Sequence, residues 1–268
     1  MVDESASERY IYHLLSSLSV NLAGIKVVVD CANGAASEVA PEVYARAGAQ
    51  VIAISNQPNG LNINDNCGST HLDNLIAQVK SSGADLGIAH DGDADRCLAI
   101  DADGNLIDGD FILAILAKES SVPTVVGTVM TNLGFIKAMS ESGISFEKTP
   151  VGDRYVLENM LAKGHKLGGE QSGHIIMRDF ANTGDGLLTA LQLMSVMAKS
   201  KKSLAELAQV MKRFPQVLIN VNDVDKSKLG TSKALAIAVN EYESKLGATG
   251  RILLRASGTE PLVREIGR

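Results

Sequence analysis

The hydrophobic positions fall into an alternating order of helices and strands. Between Glu4 and Leu18 apolar residues recur at helical spacing, and Ser5-Ala6-Ser7, followed by Glu8 and Arg9, reads as part of that helix. Ile25 to Asp30 is a β-branched run that stops at Asn33-Gly34, which predicts a strand and a turn. A helical stretch from Ala35 to Ala47 ends at Gly48, a second strand covers Gln50 to Ser55, and a loop dense in Asn and Gly runs from Asn56 to Ser69. Helix Leu72 to Lys80 then leads into a short apolar strand, Ala84 to Ala89, that runs on into Asp91.

The rhythm restarts after Gly109. The pattern predicts a helix over Asp110–Ala117, a strand over Thr124–Val129, a helix from near Asn132, a strand over Ser145–Thr149 and a helix over Asp153–Lys163. Lys166 to Gly169 and Ile175 to Met177 read as strand pieces, and a long apolar helix from Asp185 to Lys199 takes Asp185 as its N-cap. After the basic cluster Lys199 to Lys202 comes a short helix ending at Phe214-Pro215. The remainder changes character to strand (Val217–Val221), charged helix (Lys228–Ser244) and strand (Arg251–Leu254). The fold class expected is α/β: two consecutive α/β domains of mixed sheet with flanking helices, residues 1–107 and 108–212, followed by a smaller, incomplete α+β domain, residues 213–268. The first two share a rhythm suggestive of a structural repeat, with residue-level self-similarity too weak to establish one.

Composition narrows the function. The 268 residues include 45% hydrophobic types, ample for real cores, and 25 Lys+Arg against 31 Asp+Glu leave a formal charge of −6. That balance disfavours a sequence-independent grip on nucleic acid or an anionic membrane and favours a small-molecule partner. The longest wholly apolar run, Phe111 to Ala117, is far short of the roughly 20 residues that span a bilayer. With no basic-then-apolar signal segment at the start either, a cytoplasmic location is expected, and Cys31, Cys67 and Cys97, odd in number and without CxxC spacing, are expected to be reduced thiols.

Three loops carry candidate chemistry. Asp91-Gly92-Asp93-Ala94-Asp95-Arg96 follows an apolar strand directly; carboxylates at alternate positions of extended backbone point to one side, and hard oxygen donors suit Mg²⁺. An EF-hand is excluded, because Arg96 and Ala102 stand where that loop needs Gly and Glu. Gly168-Gly169-Glu170-Gln171-Ser172-Gly173-His174 sets a carboxylate and a hydroxyl between glycines, an arrangement able to hold adjacent sugar hydroxyls, although on its own a plain Gly-rich turn is the favoured reading. Arg255-Ala256-Ser257-Gly258-Thr259-Glu260-Pro261, with Arg264 beyond, combines guanidinium groups, hydroxyls and turn N–H groups as a phosphate cradle does; a surface turn with an Arg264–Glu260 pair is the bland alternative.

Taken together and in this order, D-G-D-A-D-R, G-G-E-Q-S-G-H and R-A-S-G-T-E-P-L-V-R resemble the metal-, sugar- and phosphate-binding loops of the α-D-phosphohexomutases. D-C-A-N-G-A (Asp30 to Ala35), P-N-G-L-N-I-N-D-N-C-G-S-T (Pro58 to Thr70) and V-G-D-R-Y-V (Val151 to Val156) are similar to the phosphoglucosamine mutase branch of that family, and the similarity runs along essentially the whole chain. The resemblance implies a four-domain enzyme with a central cleft to which each domain contributes a loop. It implies interconversion of glucosamine 6-phosphate and glucosamine 1-phosphate, through a bisphosphate intermediate, on the way to bacterial cell-wall precursors. By the same resemblance Asp91, Asp93 and Asp95 hold Mg²⁺ and Arg96 stabilises the moving phosphoryl group. Glu170 and Ser172 read sugar hydroxyls, and Arg255, Ser257, Gly258, Thr259 and Arg264 grip the phosphate that is not transferred. His174, Asp153 and Arg154 fall in matching segments; for His174 a substrate contact and a satisfied structural histidine stand level.

The family's T-A-S-H-N-P loop, whose serine donates and accepts the phosphoryl group, has no counterpart here, and the chain stops at Gly267-Arg268, soon after the phosphate loop. The expectation is therefore a mutase portion that is inactive without a partner domain carrying the phosphoserine, since phosphoryl transfer needs an in-line nucleophile. Two further readings remain: a non-catalytic hexose-phosphate binder, and a phosphatase with Asp91 as nucleophile, the latter weaker because it leaves two loops unexplained. Phosphomannomutase or phosphoglucomutase specificity within the same family is the alternative on substrate.

Overall fold

The computed structural model describes residues 5–222, 224–225, 229, 231–247, 250–256 and 262–267. The first elements are helix α1 (Ala6–Ser16), strand β1 (Lys26–Asp30), helix α2 (Ala36–Arg46), strand β2 (Gln50–Ile54), helix α3 (Asp73–Ser82) and strand β3 (Leu86–Ala89). They are followed by β4 (Leu98–Asp101), β5 (Leu106–Ile107) and helix α4 (Gly109–Ser120). One five-stranded sheet results, ordered β2-β1-β3-β4-β5, in which β2, β1 and β3 are parallel and β4 and β5 antiparallel.

Strand β1 shows why its sequence is apolar without alternation. Val27 and Val29 face the side packed by Val43 and Tyr44 of α2, whereas Val28 faces Leu75 and Val79 of α3. A sheet covered on both faces has no polar side to record in the sequence.

The next elements repeat that plan. They are β6 (Thr124–Thr128), α5 (Leu133–Glu141), β7 (Ser145–Thr149), α6 (Asp153–Lys163), β8 (Leu167–Gly169) and β9 (Ile175–Met177), in a four-stranded sheet ordered β7-β6-β8-β9. Again the first three strands are parallel and the last is antiparallel. Val125 and Val126 on β6 divide between two cores as the valines of β1 do, Val126 meeting Val156 and Met160 of α6. The repeat suspected from rhythm is thus present as topology. Helix α7 (Gly186–Ser200) begins at Asp185, whose side chain accepts from the Leu188 N–H, so the N-cap read from the sequence forms.

Both sheets share one core. Residues of β1 and β3, of β6, β8 and β9, and of α4 and α7 belong to a single buried cluster, with Leu113 and Leu191 fully inaccessible. Residues 1–131 and 135–212 accordingly form one compact unit, and residues 132–134 with 213–268 form the second. Helix α8 (Leu204–Leu207) closes the first unit with a capping box between Ser203 and Glu206. The helix expected to reach Phe214 instead ends in a 3₁₀ turn over Ala208–Val210.

The second unit contains β10 (Val217–Asn222), helix α9 (Lys233–Leu246), β11 (Ile252–Ala256) and β12 (Leu262–Gly267) in an antiparallel sheet ordered β10-β12-β11. Helix α9 starts later than its charge pattern suggested because Ser232 caps it, accepting from the Leu235 N–H. Strands β4, β5 and β12 had no signature in the sequence pattern, being short or placed directly against polar loops. Among the described residues no helix is long and apolar enough to cross a membrane.

Replacing Leu113 by Ala is expected to cost about 2–5 kcal/mol, the range for emptying a buried leucine site; urea unfolding followed by circular dichroism measures it. Glu147 gives a pH signature. Lys163 Nζ at 2.7 Å, with His165 and Asn159, draws its carboxyl from an ordinary 4.5 down to about 2. A depressed carboxyl stabilises the fold fully above the unfolded value and loses that contribution as pH falls through the folded one. Carbon-detected NMR titration should place Glu147 near 2, and the Lys163→Ala protein should return it toward the ordinary range.

Candidate active site

The acidic loop is the hairpin between β3 and β4, at the carboxyl end of the parallel strands where sheets of this kind hold ligands. Asp91, Asp93 and Asp95 each present a carboxylate oxygen, and these atoms lie within 4.8 Å of one another. Ala94 adopts φ +64°, a left-handed conformation that an alanine takes only when its surroundings impose it. Here the imposing contacts are visible: the Ala94 N–H donates to the Asp91 carbonyl, and the Ala94 carbonyl accepts from the Gly186 N–H at the start of α7, at 3.1 and 2.9 Å.

Arg96 folds back over the carboxylates. Its backbone N–H donates to Asp91 Oδ1 at 3.1 Å, and its Nε lies 3.4 Å from Asp91 Oδ2 and 3.7 Å from Asp95 Oδ1. The side chain is 44% exposed, so the pairing orients the guanidinium without burying it. Asp95 Oδ1 is buried with no hydrogen-bond partner, and Asp93 is exposed and unpaired among the described residues. An all-carboxylate donor set with an orphaned buried oxygen is what a hard divalent cation satisfies, and these residues fit Mg²⁺.

The second loop, residues 170–174, is the equivalent hairpin of the second sheet, between β8 and β9. It is joined edge to edge with the acidic loop. The Cys97 N–H donates to the Gly173 carbonyl at 3.0 Å, and Arg96 and His174 form an antiparallel bridge. Close approach explains the glycines. Gly173 has φ +96°, and a Cβ there would overlap the Cys97 carbonyl; a Cβ on Gly186 would overlap the Arg96 carbonyl.

Buried His174 links the loops chemically. Its Nε2 accepts from the Gly184 N–H at 3.1 Å, so the ring hydrogen resides on Nδ1 and is donated to Asp95 Oδ2 at 2.9 Å. Glu170 is half-buried, its Oε1 accepting from the Gly152 N–H at 3.1 Å, which docks the loop against the V-G-D-R-Y segment; Ser172 is exposed. Asp153 and Arg154 are exposed at the start of α6, and Arg154 pairs with Glu158 at 2.7 Å. The first unit therefore assembles Asp91, Asp93, Asp95, Arg96, Glu170, Ser172 and His174. Arg255 and Arg264 belong to the second unit, where they are register partners across β11 and β12. Ser257, Gly258 and Thr259 lie outside the described residues.

Sequence reasoning passed over two supports of the acidic loop, His90 and Tyr44, and read a third, Asp185, only as a helix cap. His90 is completely buried, with Nδ1 at 2.9 Å from the Arg96 carbonyl and Nε2 at 2.8 Å from the Tyr44 hydroxyl; burial lowers its pKa. Asp185, the cap of α7, accepts two 2.9 Å contacts from the Tyr10 hydroxyl of α1. The paired glycines in Gly184-Asp185-Gly186 were a usable signal. Tyr44 gave none, since in sequence it is one apolar position of an amphipathic helix.

Comparison with known proteins bears on this arrangement. Residues 8–104 match the phosphoglucomutase/phosphomannomutase alpha/beta/alpha domain II, residues 108–214 match domain III, and residues 194–264 match the C-terminal domain of the same family. The chain belongs to the phosphoglucomutase/phosphomannomutase family. A phosphoglucosamine mutase from Streptomyces griseus is 60% identical over 263 residues, covering 96% of this chain and 58% of that protein. One from Thermobifida fusca is 57% identical, covering 98% of this chain and 60% of its own length. The chain thus spans about three-fifths of the relatives it matches. In fold it is similar to an Aspergillus fumigatus N-acetylphosphoglucosamine mutase solved with GlcNAc-6P and magnesium, at a TM-score of 0.76 and 18% identity over 97% of this chain and 64% of that one.

Gly173→Ala and Gly24→Ala form an informative pair, because both positions have φ near +90° but a Cβ on Gly24 meets nothing within 4 Å. Gly24→Ala is expected to cost about 1–2 kcal/mol from backbone conformation alone, and Gly173→Ala measurably more; thermal melts of both proteins compare the steric part directly.

Proposed function

We propose that this chain is the cation-, sugar- and phosphate-binding portion of a phosphoglucosamine mutase. Its relatives at 57–60% identity carry that name, and the observation that carries the reading furthest is the direct pairing of the acidic loop with the Glu170 loop in one unit. The reaction is interconversion of glucosamine 6-phosphate and glucosamine 1-phosphate, with a phosphoserine supplied by a further domain. The functional partition follows residues 1–107, 108–212 and 213–268, each contributing one loop.

Asp91, Asp93 and Asp95 would hold Mg²⁺, which when bound supplies positive charge against the phosphoryl oxygens. The chain's own residues do the rest. Arg96, steered by Asp91 and Asp95, presents its guanidinium to the transferring group. Glu170 and Ser172 accept from and donate to sugar hydroxyls. His174 has both ring nitrogens committed, and we assign it to orienting Asp95, as a partner that fixes a ligating carboxylate does. Arg255, Ser257, Gly258, Thr259 and Arg264 hold the phosphate that stays in place. Three free, buried cysteines accord with a reducing cytoplasmic setting.

Calorimetry of glucosamine 6-phosphate with the chain, with and without Mg²⁺, should show binding, and Asp93→Asn should abolish the Mg²⁺ heat. Adding a protein that supplies the T-A-S-H-N-P domain should restore formation of glucosamine 1-phosphate. Ligand binding without any restored turnover would leave only a hexose-phosphate binder, and no heat in any arm would remove both.

A further inference from the structure

The acidic loop is braced from beneath by a pair that no substrate or cation can reach. His90 and Tyr44 are both fully inaccessible. The Arg96 carbonyl can only accept, so His90 Nδ1 carries the ring hydrogen and donates to it at 2.9 Å; Nε2 is then the acceptor of the Tyr44 hydroxyl at 2.8 Å. The contact joins the residue before Asp91 to the residue after Asp95, closing residues 90–96 into a ring. The backbone of His90 is fixed as well: its N–H donates to the Asp30 carbonyl, and its own carbonyl accepts from Ser69, at 3.0 and 2.8 Å. Tyr44 is anchored in the core of α2, so the ring is tied to the part of the protein least able to move.

We infer that Tyr44 and His90 are positioning residues that hold the three carboxylates convergent before a cation arrives and thereby set cation affinity. This rests on the reading of Asp91, Asp93 and Asp95 as the Mg²⁺ site. Carboxylate oxygens within 4.8 Å of each other repel, and a free loop would relieve that by spreading. Arg96 offsets only part of the repulsion because its side chain is partly solvated. The ring closure keeps the loop from spreading whether or not the charges are neutralised.

The test is Mg²⁺ calorimetry and Mn²⁺ electron paramagnetic resonance on the full chain, comparing wild type with His90→Phe, His90→Asn and Tyr44→Phe. Each variant's fold is checked by circular dichroism. His90→Phe should weaken Mg²⁺ about 10–100-fold, the range for removing a group that orients a metal ligand, and should broaden the Mn²⁺ lines. His90→Asn keeps a donor toward the Arg96 carbonyl and should recover most of the affinity and the wild-type spectrum. Tyr44→Phe, which changes one buried atom, should fall between and serves if His90→Phe does not fold. A folded His90→Phe or Tyr44→Phe with wild-type affinity and spectrum overturns the inference while leaving the metal site standing. Absence of binding by wild type itself removes the metal site, and the positioning role with it.

Discussion

The pairing of two hairpins holds the candidate site together. The Cys97 N–H reaches the Gly173 carbonyl, Arg96 bridges His174, and the His174 ring donates to Asp95, so each loop supplies part of the other's hydrogen bonding. Backbone groups at loop tips are ordinarily satisfied by water; here they are satisfied across the join, which leaves the two loops little freedom to separate. The requirement propagates outward. Gly173, Gly184 and Gly186 have to be glycine, because a Cβ at any of them would strike a carbonyl or the His174 ring. The start of α7 has to sit where the Gly186 N–H can reach Ala94, and Asp185 caps that helix while receiving Tyr10 from α1.

The join is possible because both loops occupy the same place in two sheets of the same plan. Each is the hairpin that reverses direction after three parallel strands, in the orders β2-β1-β3-β4 and β7-β6-β8-β9. One plan has been given two chemistries: carboxylates in the first copy and a Glu-Ser pair flanked by glycines in the second. The single core formed by α4, α7 and the inner faces of both sheets keeps the copies in register, so the relation between the loops is set by apolar packing as well as by their own bonds.

Charge is organised by depth. Exposed Asp93 and half-exposed Arg96 are free to meet a ligand, whereas His90, Tyr44 and His174 sit beneath them with their polar atoms engaged. Burial disfavours the charged form of His90 and keeps the Tyr44 hydroxyl protonated, so that pair contributes geometry rather than charge.

The sequence by itself determined the alternating helices and strands and the Asp185 cap, and it singled out three loops as candidates, because these depend on local periodicity and on residue types adjacent along the chain. Strands Ser145–Thr149 and Ile175–Met177 and helix Asp153–Lys163 were legible to the residue. Strands Leu98–Asp101 and Leu106–Ile107 were not: they exist as strands through pairing with β3 and with each other, and a run of four or two residues carries no period. Likewise Tyr44 is one apolar position among several in α2, and its hydroxyl acquires a meaning only when the sheet brings His90 beneath it, 46 residues away. That the acidic loop and the Glu170 loop lie side by side, with His174 turned inward to Asp95 across 79 residues, was decided by the shared core. Contacts of that separation leave no mark on neighbouring residues, and only packing creates them.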